Sequence, residues 1–301
     1  MNKKILITGA SGLIGKRLTE MLLKKGYQVA HLSRSKKSGL VPSFVWDVEA
    51  GVIDTASLEG VETIIHLAGA GVADKRWSKS RKEEILESRL KSTQLLFDTL
   101  SKNPNQVKNF ISASAIGYYG FGQDEVFVEA SPFGDDFLAK VTRAWEEEVD
   151  KIAALKIRIA KLRIGIVLSD KGGALVEMAK PIRLGFGSPL GNGKQYLSWI
   201  HIDDVCALFI YAVETEAMHG SYNAVSGEWA TNKEMTQAIA KVLSKPLWLP
   251  NVPAFVLKIV VGDMAEIVLN GSKVSAGKVK DAGYSFKYTN LNQTLGSLLK
   301  T

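Results

Sequence analysis

A glycine-rich segment near the N-terminus carries the clearest chemical pattern in the sequence. Residues 8–15 read TGASGLIG and directly follow the short apolar run Lys4–Thr8. Gly9 permits a tight turn, Gly12 lets the backbone approach a pyrophosphate, and Gly15 allows the following helix to pack closely on the strand. The N-terminus of that helix would supply N–H donors and the positive end of its dipole to the phosphates. A purely structural glycine turn is the alternative. The predicted dinucleotide-binding residues of this turn are Gly9, Ser11, Gly12, Leu13, Ile14 and Gly15.

The end of the second predicted strand indicates which dinucleotide is preferred. An NAD-preferring site usually places an acidic residue there, which binds the ribose 2′-hydroxyl. Residues 33–37 instead read SRSKK and contain no acid. Arg34, which follows Ser33, is able to bind a 2′-phosphate and to stack on the adenine. The pattern favours NADP(H) over NAD(H), and a solvated basic turn is the alternative.

Alternating strand and helix patterns place these residues on a parallel sheet. Short apolar runs predict strands that are buried on both faces, and segments with helical periodicity separate them. We predict strands at 4–8, 27–32, 63–67, 107–112 and 157–168, and helices at 13–25, 78–100 and 136–154. This alternation predicts an α/β protein with a doubly wound parallel-sheet Rossmann fold.

The pattern changes after about Gly165, which indicates a second, smaller lobe. Glycines crowd residues 172–193, and a strand at 196–200 and a helix at 203–215 follow. A capping box formed by Thr231 and Glu234 opens a further helix. We predict two parts, a Rossmann domain at 1–165 to which 196–225 return, and a small mixed C-terminal substrate lobe formed by 166–195 and 226–301.

Composition limits the class of protein and its partners. The 301 residues are 46% hydrophobic and 23% charged, which are values of a globular chain and exclude a disordered one. The single cysteine, Cys206, excludes a disulfide framework, and the four histidines stand at no metal-ligand spacing, so we expect no metal site. The net charge of +7 favours anionic partners, but basic residues are not interleaved with aromatic ones as in a nucleic-acid groove. We expect a cytoplasmic protein with a small anionic substrate or ligand and with no membrane or nucleic-acid partner.

Several further motifs resemble the extended short-chain dehydrogenase/reductase superfamily. Beside residues 8–15, these are HLAGA at 66–70 and FISASAIGYYG at 110–120. A second group of motifs resembles an atypical branch, the epimerase-family or nucleoside-diphosphate-sugar-epimerase-like proteins. It consists of Arg76-Trp77, Ser88-Arg89, Trp145-Glu146, Gly193-Lys-Gln195 and the block SWIHIDD at 198–204. The resemblance covers essentially the whole chain and implies NADP(H) laid across the strand ends of a Rossmann domain.

The resemblance also implies cofactor contacts outside the glycine turn. Asp47 would face the adenine amino group, and an ordinary turn carboxylate is its alternative role. Leu67, Ala68 and Gly69 would pass beneath the cofactor. Residues 112–114 would lie beside the nicotinamide.

The C-terminal half would supply the substrate side of the cleft. A block like SWIHIDD lies at the cleft mouth in relatives, which implies substrate contacts for Gln195, Trp199 and His201. A structural hydrogen bond is an alternative role for His201. A homodimer paired through helices such as 78–100 is compatible with the pattern.

The active-site pattern of the superfamily is incomplete in this sequence. Active members use Ser or Thr together with a Tyr and a Lys that are spaced as YxxxK on one helix. Ser114 matches the Ser, but the Tyr position falls near Leu138 and the Lys position near Thr142. The superfamily's Asn falls on Arg89.

Two interpretations follow from this gap. In the first, Ser114 binds the reacting oxygen, Tyr118 or Tyr119 supplies a proton, and Arg89 assists that phenol with its positive charge. Arg89 or Lys140 would alternatively hold an anionic substrate. The activity would be hydride transfer between NADP(H) and a small carbonyl, alcohol or sugar-nucleotide-like compound. In the second interpretation, the protein binds NADP(H) as a sensor without turnover, and the tyrosines only pack.

Overall fold

The computed structural model describes residues 3–36, 39, 41–122 and 124–300, so Lys37 of the basic turn lies outside the described residues. The strands are β1 (Lys4–Thr8), β2 (Gln28–Ser33), β3 (Ser43–Asp47), β4 (Val52–Ile53), β5 (Val61–His66), β6 (Asn109–Ala115), β7 (Val126–Phe127), β8 (Arg158–Ile164), β9 (Ile166–Leu168), β10 (Tyr196–His201), β11 (Gly220–Ala224), β12 (Trp229–Thr231) and β13 (Lys273–Val274). The helices are α1 (Leu13–Lys24), α2 (Lys79–Lys102), α3 (Phe137–Asp150), α4 (Ala174–Arg183), α5 (Ile202–Glu214), α6 (Asn232–Val242), α7 (Ala254–Val261), α8 (Ala265–Leu269), α9 (Gly277–Asp281) and α10 (Leu291–Leu299). None of the helices in the described part of the chain is long and apolar enough to cross a bilayer.

A large sheet forms the centre of the molecule. Its strands follow the order β11-β8-β6-β5-β1-β2-β3-β4, and every neighbouring pair is parallel except β3 and β4. In β1, Ile5, Leu6 and Ile7 are completely buried, as expected for a continuous apolar strand that is covered on both faces. The predicted doubly wound parallel-sheet Rossmann fold is confirmed.

Helices cover both faces of this sheet because the strand order reverses beside β1. The chain passes from β1 through α1 to β2 in one direction, and from β5 through α2 to β6 in the other. Right-handed connections that run in opposite directions place their helices on opposite faces. α1 packs against α5, with an ion pair between Arg17 and Asp203 (Nε–Oδ1 2.7 Å), and α2 packs against α3. A crevice at the carboxyl ends of the strands is expected where the order reverses.

The second half of the chain adds smaller sheets to this core. β12, β10 and β9 form a three-stranded sheet, and β13 pairs with β7. Residues 196–225 were predicted to return to the Rossmann domain. Of the two strands in this segment, β11 joins the large sheet, whereas β10 pairs within the three-stranded one. α6 begins with the predicted capping box, in which the side chains of Thr231 and Glu234 each accept the other's backbone N–H.

The strand predicted at 157–168 is divided between two sheets. β8 ends at Ile164 in the large sheet, and β9 begins at Ile166 in the small one. A Cβ on Gly165 would lie 2.5 Å from the carbonyl oxygen of Ser198, so only glycine lets the chain pass at this point. An apolar run carries no information on which sheet its residues join, so the sequence pattern did not reveal the division.

The SWIHIDD block ties the C-terminal segment to the rest of the fold. Asp204 is buried, and its carboxylate accepts the backbone N–H groups of Lys287 (3.0 Å) and Tyr288 (2.8 Å). The Ser198 hydroxyl donates to the carbonyl of Ser272 at 2.8 Å. These contacts give the block a structural role between the two halves of the chain.

Candidate functional site

The three glycines of the turn between β1 and α1 differ in what constrains them. A Cβ on Gly9 would lie 2.7 Å from the carbonyl carbon of Leu67, and a Cβ on Gly15 would lie 2.6 Å from Cα of Ala10. Both distances are too short for a side chain, and Gly9 also has a φ of +68°, which favours glycine. At Gly12 the nearest protein atom is the Gly9 carbonyl oxygen, at 3.3 Å. Packing therefore requires Gly9 and Gly15, whereas the protein itself leaves space beside Gly12.

The N-terminus of α1 is open to a ligand. α1 begins at Leu13, and no side chain of the described residues caps it. α2 and α3, in contrast, are capped by the side chains of Ser78 and Asp136. Ser11 is exposed beside this end, and Leu13 and Ile14 are half-buried. N–H groups without a cap, together with the helix dipole, form a site that attracts phosphate.

Thr8 fixes the start of the segment after β5 beside the glycine turn. Its hydroxyl oxygen accepts the backbone N–H groups of Leu67 (3.1 Å) and Ala68 (3.2 Å). The Leu67 carbonyl and the Ala68 nitrogen also lie against Gly9. Leu67 and Ala68 are therefore held next to the turn, and their place beneath a cofactor stays a prediction.

Side chains of α2 fix the rest of this segment, which we call the 67–71 loop. Ser88 Oγ accepts the backbone N–H of Ala70 at 3.0 Å. Arg81 donates through Nη2 to the carbonyl of Gly71. Thr8 thus binds the loop from the β1 side, and α2 binds it from the other side. These hydrogen bonds fix the position of the loop backbone.

Ser33 is the last residue of β2, and Arg34 follows it directly. The Ser33 hydroxyl donates to a carbonyl two residues further on (2.6 Å) and pairs with the hydroxyl of Ser43 (3.0 Å), so it holds the turn. Arg34 is exposed. The pKa of Glu84 on α2 is lowered mainly by a hydrogen bond from Arg81, and the charge of Arg34 contributes as a smaller cause. The side chain of Arg34 is therefore open to a ligand, and its contact with a 2′-phosphate stays a prediction.

Asp47 is the last residue of β3 and is exposed. Its Oδ1 accepts the backbone N–H groups of Glu49 and Ala50, both at 3.0 Å. These contacts correspond to the ordinary turn role that was the alternative for this residue. Its contact with the adenine stays a prediction.

A buried ion pair lies between α3 and β8, next to Ser114 of β6. Arg163 donates through Nε to Oε1 of Glu146 and through Nη2 to Oε2, both at 2.8 Å. Ser114 Oγ donates to Oε1 at 2.5 Å, and Ser221 Oγ donates to Oε2 at 3.1 Å. Lys161 Nζ lies 3.6 Å from the same carboxylate. The Glu146 carboxylate is therefore surrounded by donors and cations.

These contacts keep Glu146 charged and fix the Ser114 proton. Burial acts to raise the pKa of the Glu146 carboxyl, but the hydrogen bonds and charge of Arg163, with Ser114 and Lys161, outweigh it and hold the pKa below its ordinary value. A hydroxyl has one proton to donate, and that of Ser114 goes to Glu146. Ser114 is thus free to accept a hydrogen bond, whereas its predicted role as a donor to a reacting oxygen requires the contact with Glu146 to break.

The two tyrosines of the loop after β6 have different environments. The Tyr119 hydroxyl is buried, donates to Oδ1 of Asn223 (2.6 Å) and accepts from Nη1 of Arg163 (3.0 Å). Burial is the main cause that raises the pKa of Tyr119 to about 12. The Tyr118 ring lies under the Arg163 guanidinium, whose carbon is 3.5 Å from the ring centroid. No described residue forms a hydrogen bond with the Tyr118 hydroxyl, and that hydroxyl is not sealed from solvent. Of the two, Tyr118 has the hydroxyl that is free for a ligand.

The cation beside Tyr118 is Arg163, not Arg89 as the sequence predicted. The guanidinium carbon of Arg89 lies 5.1 Å from the ring centroid of Trp145. Its Nη1 donates to two backbone carbonyls, one in the 67–71 loop and one on α2. The predicted pairing of Tyr118 with Arg89 was wrong, because spacing along the chain does not reveal which strand lies next to a loop.

The positions of the missing Tyr and Lys carry no replacement acid or base. Leu138 is apolar, and the hydroxyl of Thr142 donates to the Leu138 carbonyl at 2.8 Å. A Cβ on Gly117 would lie 3.4 Å from Cβ of Leu138 and 3.7 Å from Oγ1 of Thr142. The loop after β6 thus packs directly on both positions.

The three residues predicted for the substrate side are buried within the fold. Trp199 is completely buried, and Nε2 of Gln195 donates to two backbone carbonyls at 3.0 and 2.7 Å. Nδ1 of His201 accepts the backbone N–H of Asp203 at the start of α5, and the ring stacks on Tyr288 with 3.7 Å between centroids. In this conformation all three have structural contacts. Substrate contact by any of them stays a prediction that requires the small lobe to rearrange.

His66 at the end of β5 also has structural partners. Its Nδ1 lies 2.8 Å from Oγ1 of Thr8, and its Nε2 lies 3.2 Å from Oγ1 of Thr93. Burial, and then the charge of Arg89, lower the pKa of His66 to about 3, so the ring is neutral. Across the described ranges, no group of three or more His, Cys, Asp or Glu side chains is arranged to hold a metal ion.

The parallel sheet, the glycine turn and the fixed loop beside it define a dinucleotide-fold protein of the dehydrogenase and epimerase type. A model of the NAD dependent epimerase/dehydratase family matches residues 5–225, and a model of a domain of unknown function (DUF1731) matches residues 252–298. The chain belongs to the NAD dependent epimerase/dehydratase family. This membership confirms the resemblance to an atypical, epimerase-like branch of the short-chain dehydrogenases/reductases.

Relatives are similar along nearly the whole chain. The chloroplastic epimerase family protein SDR39U1 homolog of Arabidopsis thaliana is 36% identical, covering 98% of this chain and 86% of its own length. The epimerase family protein YfhF of Bacillus subtilis is 33% identical over 98% and 97% of the two chains. The crystal structure of human epimerase family protein SDR39U1 (isoform2) with NADPH has a TM-score of 0.88 at 31% identity and covers 99% of both chains. A nucleoside-diphosphate sugar epimerase from Corynebacterium glutamicum has a TM-score of 0.81 at 28% identity, covering 99% of this chain and 58% of that one.

Spacing along the chain did not indicate the site contacts of Thr8, Ser88, Glu146 or Arg163. Arg163 and Lys161 stand two positions apart in β8, which places both on one face among the apolar residues 159–164. A charge in a buried strand needs a partner, so this spacing was a signal for an acid on a neighbouring element. The hydroxyls of Thr8 and Ser88 gave no such signal, because their partners are backbone groups that are distant in sequence.

We expect Glu146→Gln to lower the free energy of unfolding by about 3–5 kcal/mol at neutral pH, because it leaves the buried Arg163 cation without its acid. The pKa of Glu146 is depressed in the folded state, so this stabilisation is present above the ordinary value of 4.5 and is lost as the pH falls. Urea unfolding of both proteins should therefore give a difference that shrinks below about pH 4.5.

Glu147→Gln is the matched control for this measurement. Glu147 is exposed and pairs with Arg143 at the surface, so its loss should cost less than about 1 kcal/mol. Losses of similar size in the two variants, or a difference that does not depend on pH, would contradict the role of Glu146.

Proposed function

We propose that the protein is an NADP(H)-dependent oxidoreductase of the atypical short-chain dehydrogenase/reductase type. The observation that carries this proposal is the glycine turn with its uncapped helix N-terminus, set beside the fixed 67–71 loop. A related human protein was crystallised with NADPH, which supports the same ligand for this chain. Calorimetric titration with NADPH and NADH tests the binding part of the proposal.

Residues of this chain fit each part of such a dinucleotide. The N–H groups at the start of α1 and the free surface at Gly12 would hold the pyrophosphate. The exposed Arg34 would bind the 2′-phosphate. The 67–71 loop would pass beneath the cofactor, and residues 112–114 would lie beside the nicotinamide.

The proposed reaction is hydride transfer to or from a small carbonyl or alcohol, including one on a sugar-nucleotide-like compound. When bound, NADPH would supply the hydride. Tyr118 would donate the proton, because its hydroxyl has no partner among the described residues and the Arg163 cation over its ring stabilises the negative charge left on the oxygen. Ser114 would orient the substrate by accepting a hydrogen bond, since its own proton is held by Glu146.

A protein that senses NADP(H) without turnover is the second candidate function. The observation that favours it is the engagement of Ser114 with Glu146, together with the absence of an acid or base at Leu138 and Thr142. Incubation of NADPH with a panel of carbonyl compounds separates the two candidates. Consumption of NADPH with formation of an alcohol supports the oxidoreductase, and binding without consumption supports the sensor.

We further propose a cytoplasmic location, a small anionic substrate and a homodimer that pairs through helices such as α2. The net charge of +7 supports the anionic substrate. One relative is chloroplastic, so the location needs its own experiment, such as fractionation of cells that express a tagged chain. Size-exclusion chromatography with light scattering tests the dimer.

We expect Gly12→Val to abolish NADPH binding while the fold stays intact. A side chain at this position meets one backbone oxygen of the protein, but it would occupy the space of the pyrophosphate. Titration calorimetry beside circular dichroism measures both effects. Gly296→Val is the control, because that glycine has open space around it. Unimpaired binding by a folded Gly12→Val protein would show that the turn is only structural.

We expect Arg34→Ala to weaken NADPH selectively, by about 1.5–3 kcal/mol for the loss of a charge-assisted contact. NADH lacks the 2′-phosphate, so its affinity should change little. Competition titrations of both nucleotides measure this selectivity, and Lys24→Ala at the far end of α1 controls for lost net charge. Equal affinity of the unaltered protein for the two nucleotides would contradict the prediction.

We expect Tyr118→Phe to reduce turnover by about 10²–10⁴-fold with little change in NADPH affinity, because it removes the proposed proton donor. Steady-state kinetics on a substrate from the carbonyl panel measures the effect. Tyr27→Phe, which removes a surface hydroxyl that donates to Glu214, is the control. Full activity of Tyr118→Phe would show that the proton comes from another group.

A further inference from the structure

Arg89 is a half-buried cation for which the described residues provide no acid. Its Nη1 donates to the carbonyls of Ala70 (3.1 Å) and Ile85 (2.8 Å), and no carboxylate in the described ranges forms an ion pair with it. Burial, and then the like charge of Arg81, lower the pKa of Arg89 to about 10. Both causes disfavour the charged form, and no opposite charge offsets them.

Three other arginines are paired with carboxylates, whereas Arg158 has an amide oxygen and three backbone carbonyls that together engage Nε, Nη1 and Nη2. Arg163 binds Glu146 at 2.8 Å, Arg81 binds Glu84 at 2.6 Å, and Arg17 binds Asp203 at 2.7 Å. A charge that is partly removed from water and has no counter-ion lowers the stability of the fold. Such charges are typical of sites where a ligand supplies the opposite charge.

Arg89 lies directly against the 67–71 loop. A Cβ on Gly69 would lie 3.2 Å from the guanidinium carbon of Arg89 and 3.3 Å from its Nη1. The guanidinium carbon of Arg89 lies over the ring of Trp145, 5.1 Å from the ring centroid. The loop and the indole together fix the orientation of the guanidinium beside the proposed cofactor site.

The unused edge of this guanidinium has the geometry that oxyanions require. No described residue accepts a hydrogen bond from Nε or Nη2 of Arg89, and neither atom is among the partnerless polar atoms that are sealed from solvent. Nε and Nη2 form one parallel pair of donors, and such a pair binds the two oxygens of a carboxylate or phosphate together. Lysine, a point charge, does not offer this fork.

We infer that Arg89 binds an oxyanion, a phosphate or carboxylate group of the ligand, through Nε and Nη2 beside the 67–71 loop. The inference rests on the proposed function in one respect, since the oxyanion belongs either to the dinucleotide or to its co-substrate. In this assignment Arg89 is a ligand-binding residue and does not assist Tyr118.

Three variants test the assignment. Arg89→Gln removes the charge and the fork, Arg89→Lys keeps the charge alone, and Lys91→Gln is the control on α2, because Lys91 is exposed and pairs with Glu49. NADPH is titrated into each free protein, and inorganic phosphate is then titrated into each NADPH-loaded protein. We expect Arg89→Gln to lose at least about tenfold in affinity in one of these titrations, Arg89→Lys to lose less, and Lys91→Gln to match the unaltered protein.

The two titrations separate the two sources of the oxyanion. A loss of NADPH affinity places the oxyanion on the dinucleotide, and a loss confined to phosphate places it on the co-substrate. If the unaltered protein does not bind NADPH, the proposed function fails, and titration of the free proteins with phosphate and pyrophosphate still tests Arg89. Unchanged affinities in Arg89→Gln, or no saturable binding of any probe by the unaltered protein, would overturn the inference.

Urea unfolding of the ligand-free proteins distinguishes binding from a structural role. Arg89→Gln removes a half-buried charge that has no counter-ion. The urea concentration at the midpoint of unfolding should therefore be equal to or above that of the unaltered protein. A marked fall in the midpoint, with unchanged binding by the folded fraction, would instead assign Arg89 to holding the loop and overturn the inference.

Discussion

The ion pair between Glu146 and Arg163 joins four elements of the fold at one buried point. Glu146 lies on α3 and Arg163 on β8, and the hydroxyls that complete the carboxylate come from Ser114 on β6 and Ser221 on β11. Two buried charges are stable together only while each keeps its hydrogen bonds. A shift of α3 relative to the sheet would leave a bare charge in the interior. The position of α3, and of the loop that packs on it, is therefore set by electrostatics as well as by apolar packing.

This constraint determines which groups remain for chemistry. In the superfamily that the sequence resembles, a Ser, a Tyr and a Lys form the active site, and the Tyr and Lys stand on the helix that corresponds to α3. Here the Ser114 proton is held by the ion pair, and the free phenol lies on the loop after β6, at Tyr118. The same guanidinium of Arg163 neutralises Glu146 and lies over the Tyr118 ring. One residue thus has both the structural role and the proposed chemical one.

Sequence patterns predicted a structural element correctly where residues that are close along the chain form it. The predicted strand at 4–8 coincides with β1, and the capping box at Thr231 forms as predicted, because both depend on short-range rules. The patterns were insufficient where the partner lies far along the chain. Asp204 binds the backbone of residues 287–288, and Arg89 stacks on Trp145 and not beside Tyr118. Such pairings depend on which helices and strands pack against each other. Periodicity and spacing along the sequence do not predict that packing.

Two arginines of the same fold are therefore in opposite electrostatic situations. Arg163 has a bidentate carboxylate as its counter-ion within the protein. Arg89 has carbonyls and an indole ring, which satisfy its geometry but bring no net negative charge. This charge without a counter-ion is the basis for the oxyanion site that we infer beside the 67–71 loop. A fold tolerates such an uncompensated cation only where other contacts fix the surrounding backbone, and the hydrogen bonds of Thr8 and Ser88 to the loop provide them.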